Sequence, residues 1–131
     1  MTQKAVEVIL MRQMASYLAI PVVLFDAQGT LLYFNAPAES VIGRRFEETG
    51  EVSLAEWYTL FDMQNEAGAP LPHEERPLAR ALKMRHAVQS VFWIRTENGL
   101  RIKVEATAIP LEGQSGRHLG ALVTFWEPHK A

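Results

Sequence analysis

Residues 21–43, PVVLFDAQGTLLYFNAPAESVIG, constrain the fold of this chain more than any other stretch. They read as strand, tight turn, strand and capped helix. Residues 22–26 are a β-branched and aromatic run ending at Asp26, and residues 30–34 are another. Ala27, Gln28 and Gly29 lie between them, a short loop of the kind that closes a hairpin, with Gly29 free to take positive φ. Asn35 stands where the second strand ends, and its side chain is placed to accept from a free N–H of the next helix. Pro37 falls in that helix's first turn, where a missing N–H costs nothing, and Gly43 is a left-handed stop. The unit is a β-hairpin feeding a short helix.

This order resembles the opening of PAS domains, sensory modules common in bacterial signalling. That family begins with an apolar strand ending in Asp, a Gly turn, a second strand, and Asn-x-x-Ala before a helix ending in Gly. Asp26, Gly29, Asn35, Ala38 and Gly43 stand at the matching places. A more specific resemblance lies downstream. Phe61-Asp62, then Gly68-x-Pro70-Leu71-Pro72, then Pro77-Leu78-x-x-Ala81-Leu82 is similar to the pattern one PAS subgroup carries before its third strand. The chain departs from it at Ala67, where the subgroup has Asp, and at Lys83-Met84. The resemblance covers residues 17–126 and implies an α+β fold, a five-stranded antiparallel sheet in the order 2-1-5-4-3 with helices on one face.

At 131 residues the chain has room for one real core, and 48% apolar with 21% charged residues is ordinary for a globular protein. A net charge of −2 leaves no electrostatic footprint for nucleic acid. No apolar run reaches membrane-spanning length and no signal peptide is visible, so a cytoplasmic setting is expected. Cys is absent, which removes disulfides, thiol nucleophiles and thiolate metal ligands together.

Residues 3–19 read as a helix. Val6, Ile9, Leu10, Met14, Tyr17 and Leu18 recur at spacings of three and four, and Val8, Met11 and Ala15 form a second row beside them. That apolar surface is wider than one packing face needs. The division expected is therefore 1–19 as a capping and dimerisation helix and 20–128 as the PAS-like domain. Val6, Val8, Ile9, Leu10, Met11 and Met14 are the expected dimer face. A single covering role on its own sheet is the plainer alternative.

Residues 44–50 read as a charged, solvated link. Ser53 with Glu56 forms a capping box for a helix over 54–63, with Leu54, Trp57, Tyr58 and Phe61 on one side. Residues 65–72 are turn chemistry, and residues 73–85 are a second helical pattern with Leu78, Ala81 and Leu82 as its apolar side. Residues 88–95 and 100–109 are strands around Asn98-Gly99, a strong hairpin signal. A long loop over 110–118 leads to the last strand, 119–126.

No residue set reads as catalytic or as a metal site. The four His, at 73, 86, 118 and 129, lack ligand spacing, and no Gly-x-Ser-x-Gly elbow exists. His118 and His129 are expected in solvent and His73 at an exposed helix start. His86 is a cation at a helix end or, as in some PAS domains, a haem ligand; the first reading is preferred because residues 74–85 hold no His. Covalent flavin and cinnamoyl chromophores need a Cys and are excluded; the cofactor is otherwise open. The resemblance implies a ligand cavity between sheet and helices, with Trp57, Phe61, Leu78, Leu82 and Phe92 as its expected lining. The expected function is a sensory or interaction domain, without catalysis, that homodimerises and signals to a histidine kinase or other output domain. No nucleic-acid or membrane partner is expected. A ligand-free dimerisation module stays open, as does a cystatin-like α+β enzyme or carrier with His73 or Glu74 as base. Residues 126–129 replace the family's usual Asp-Ile-Thr exit, which suits either an excised domain or a stand-alone module.

Overall fold

The computed structural model describes residues 6–59, 62–95 and 99–127. In chain order it has helix α1 (Val6–Tyr17), strands β1 (Val22–Asp26) and β2 (Leu31–Phe34), helices α2 (Ala36–Ile42), α3 (Phe46–Thr49) and α4 (Leu54–Thr59), and strand β3 (Asp62–Gln64). A 3-10 turn (His73–Glu75), helix α5 (Pro77–Met84) and strands β4 (Val88–Arg95), β5 (Arg101–Glu112) and β6 (His118–Trp126) complete it. The strands form one antiparallel sheet ordered β2-β1-β6-β5-β4-β3. The expected order is kept, with one short edge strand added beyond it.

That added strand corrects the expected helix over 54–63, which stops at Thr59. Asn65 Oδ1 accepts from the backbone N–H of Ala67 and of Ala69, each at 3.0 Å, and so folds residues 65–69 into a turn. Leu71 N then donates to Met63 O at 3.0 Å, which holds residues 62–64 extended against β4. The helical pattern over 73–85 is likewise broken. Pro77 disfavours helical geometry at Arg76, which sits at φ −71°, ψ 142°, and α5 begins afresh at Pro77. The link after Gly43 holds the four-residue α3, whose Phe46 packs edge-on to Phe34 and Tyr33. The long loop before β6 shrinks to residues 113–117, because β5 runs on to Glu112.

The hairpin unit is built as its residues dictate. Asp26 Oδ1 accepts from Gln28 N and Thr30 N at 2.9 Å, and Gly29 takes φ 86° in the turn. Val22 to Phe25 are all buried, because β1 is covered on both faces. On the inner face Val23 and Phe25 join Phe92, Val104, Ala106 and Phe125 beneath Trp57 and Leu78. On the outer face Leu24, Leu32 and Leu119 pack against Val8 of α1.

Asn35 is the buried polar residue that ties these parts together. Its Oδ1 accepts from Ala38 N at 3.2 Å, capping α2, and from Val22 N at 3.0 Å. Its Nδ2 donates to Ala15 O at 3.0 Å and Ile20 O at 2.9 Å, anchoring the end of α1. Gly43 closes α2 at φ 87°.

Two residues assigned to the dimer face are used within the chain. Val8 is buried and Met11 partly buried on the outer face of the sheet. Ala15, buried beside Asn35, fixes which side of α1 faces inward. Val6, Ile9, Leu10 and Met14 remain exposed, at 66%, 51%, 56% and 65%.

Candidate functional site

An apolar cavity of about 60 Å³ lies between the inner face of the sheet and the helices α4 and α5. The alternation of the strands supplies one wall. Val23 and Phe25 of β1, Phe92 and Ile94 of β4, Val104 and Ala106 of β5, and Val123 and Phe125 of β6 all point inward. Trp57 and Tyr58 of α4, and Pro77 and Leu78 of α5, supply the other, with Ile42 and Met63 at the ends. Trp57 stands edge-on to Phe25 with ring centroids 5.6 Å apart, an arrangement worth about 0.5–1.5 kcal/mol beyond its buried area.

Of the expected lining, Trp57, Leu78 and Phe92 come together here. Leu82 does not reach the cavity. It is half-buried one turn further along α5, packed on the flank of the same core. Phe61 lies outside the described residues. Trp93 sits on the opposite face, where the Arg101 guanidinium stacks 3.9 Å from the ring centroid.

Sequence reading missed the polar edge of the cavity. The Arg76 guanidinium carbon lies 4.0 Å from the Tyr58 ring centroid, and both residues line the cavity. Arg76 Nε donates to Leu71 O at 3.3 Å. Burial raises the Tyr58 hydroxyl above its ordinary range, with the Arg76 charge working in the opposite sense. Burial also lowers Arg76, while Tyr58 and Asp62 favour its charged form. The signal was Arg76-Pro77: a residue barred from the helix by the following proline turns out of the helical row.

The histidines lie elsewhere. His86 is exposed after α5, its Nδ1 3.0 Å from Ala87 O, and does not line the cavity. His73 is exposed with its ring 5.0 Å from that of Tyr58. His118, expected in solvent, opens β6 with both ring nitrogens buried. His129 lies outside the described residues. Among the described residues, no three His, Asp or Glu side chains converge as a metal site, and no helix is long and apolar enough to cross a membrane.

A sheet with a central apolar strand, helices enclosing a cavity on one face and a helix across the other defines the class of small α+β sensor-type folds. Residues 18–129 match the PAS fold family model, and the chain belongs to that family. Solved structures agree in fold. The PAS domain of a Colwellia psychrerythraea protein is similar at a TM-score of 0.66 and 18% identity, over 92% of this chain and 97% of that one. The PAS domain of nitrogen regulation protein NR(II) from Vibrio parahaemolyticus gives 0.63 and 17%, over 91% and 98%. The light-state dimer of the fungal blue-light photoreceptor Vivid gives 0.63 and 16%, over 97% of each chain. No curated protein matches the sequence.

Proposed function

We propose that this chain is a sensory PAS domain without catalysis of its own, which takes a small ligand between sheet and helices and pairs with a second copy through α1. The observation that carries the ligand reading is the apolar cavity bounded by Trp57, Leu78 and Phe92. Dimerisation is supported by the exposed row Val6, Ile9, Leu10 and Met14, an apolar surface of the kind that marks interfaces. The light-state dimer of Vivid is a relative in fold that pairs. On this reading the domain works in the cytoplasm beside a bacterial histidine kinase or other output domain. Ligand binding shifts the packing of sheet and α1, and with it the pairing.

The small size of the cavity favours a second reading, a dimerisation module that needs no ligand. Mass spectrometry of small molecules released on denaturing the purified protein separates the two. A compound released by the wild type and lost in a folded Ala106→Leu variant, which fills the cavity, supports sensing. Nothing released by either protein supports the module.

A further inference from the structure

The wall of the cavity is almost wholly hydrocarbon. Tyr58 and Arg76 line its edge, but the Tyr58 hydroxyl and Arg76 Nη1 are buried out of an occupant's reach. Arg76 Nε is already engaged by Leu71 O. The strand backbones behind the wall are paired with one another across the sheet. An occupant therefore meets carbon, with next to no donor or acceptor. At about 60 Å³ the space is several times the 10–15 Å³ or so that one water needs. Close-packed interiors leave few voids above that size. Ala106, in the wall on β5 between β6 and β4, is where a longer side chain would fill it.

We propose that the cavity binds a neutral apolar molecule smaller than benzene, of about two to four heavy atoms, held by packing alone. The assignment rests on the sensory reading above and names its ligand class. A hydroxyl, carbonyl or amine on the ligand would give up water and gain no partner, and a charged group would lose far more. An apolar molecule loses nothing in that exchange and gains close contacts with Trp57, Leu78 and Phe92. Size follows from the volume. An apolar cavity of about 150 Å³ takes benzene, and this one, at about 60 Å³, has under half that space. A molecule of this kind escapes during purification, so denaturing the purified protein would release none of it, and the test supplies it under pressure.

The test is a titration of the intact chain with xenon and with propane, followed by methyl and amide resonances in nuclear magnetic resonance. Ethanol, which has the three heavy atoms of propane with one of them a hydroxyl, is the polar arm. Benzene is the oversize arm. Xenon and propane are expected to shift the methyl resonances of Leu78, Val104 and Val123 to saturation. The amides of Val8 and Ala15 on α1 should move with the same concentration dependence. Ethanol should bind more weakly than propane by about tenfold or more, and benzene should not saturate these methyls. Ala106→Leu should abolish the propane shifts, while the comparison of propane with ethanol on the wild type needs no variant to fold. Ethanol binding as tightly as propane overturns the apolar class, and benzene saturating the same methyls overturns the size. Either result, or release of a polar or larger compound from the purified protein, leaves the sensory reading standing. Saturation at the methyls with the α1 amides unmoved makes the cavity a packing void that any gas fills, which overturns the proposal and the sensory reading together. No response to xenon or propane, with nothing released, also removes both.

Discussion

The side-chain amide of Asn35 donates to the carbonyl oxygen of Ala15 at 3.0 Å, so the residue that starts α2 also holds the end of α1, twenty positions earlier. The same amide reaches Ile20 O, and its oxygen serves Val22 N and Ala38 N. Three elements therefore meet on one buried side chain.

Asn35→Ala removes the cap and strands the buried partners at once, so it should cost roughly 3 kcal/mol or more, against about 1 kcal/mol for a lost N-cap alone. Asn35→Asp keeps both accepting roles and loses the donors to α1. It also sets a buried carboxylate oxygen against the Ala15 and Ile20 carbonyl oxygens, so it should cost at least as much in global stability, with hydrogen exchange raised most in residues 6–17. Urea unfolding and exchange on the two variants check this. A midpoint for the alanine variant equal to wild type sinks it.

The cap was legible because Asn followed by Pro and closed by Gly has few other uses at a strand end. The bonds to Ala15 and Ile20 were not, since a contact across so many residues depends on where α1 lies on the sheet. The same limit decided the α1 rows. Periodicity shows two apolar stripes but not which one Ala15 turns inward. The strand faces around Val104 and Ala106 could be read from alternation, whereas nothing in the helical pattern over 73–85 singled out Arg76, which the break at Pro77 turns inward. β3 was hidden because Asp62–Gln64 is too short to show a period, and only the Asn65 turn makes it extended.

The exposed row of α1 should carry the dimer. Ile9→Glu with Met14→Glu is expected to give monomers at tens of micromolar, and the wild type to give dimers, both read by light scattering. Both positions are exposed, so the folded protomer should lose no more than about 0.5 kcal/mol. Val8→Ala should do the reverse, weakening the fold by about 1–2 kcal/mol through lost packing on Leu24 and Leu119. A wild type that is monomeric at that concentration ends the dimer proposal.

Gly120 should tolerate no side chain. It sits at φ 146° on β6 opposite Asp26, and a Cβ there would lie 2.0 Å from the carbonyl oxygen of Phe25. Both partners are backbone, so relief requires β1 and β6 to part. Gly120→Ala is expected to cost about 3 kcal/mol or more, read as loss of cooperative unfolding by circular dichroism. A variant as stable as wild type would show that the two strands separate more easily than this packing allows.

Alkaline pH should expose the buried phenol. Burial raises the folded-state pKa of Tyr58, so above the unfolded value of about 10 the native state holds the proton that the unfolded state releases. Native protein then binds more protons than unfolded protein, and the Tyr58 contribution to stability falls as pH rises through that window. Tyr58→Phe should flatten this part of the pH dependence, measured by chemical denaturation between neutral and alkaline pH. An identical slope in both proteins would place the phenol in water.

The alternation of β1 has a mechanical consequence. Phe25 touches the cavity and Leu24, one peptide bond away, touches the α1 side of the sheet. A shift of the backbone at either residue is passed to the other through the one peptide plane that joins them. On the sensory reading, an occupant that displaced the backbone at Phe25 would reach the seat of α1 by this direct route. On the sensory reading such a lever would work in both directions, a displacement of α1 changing the shape of the cavity and with it any affinity for an occupant.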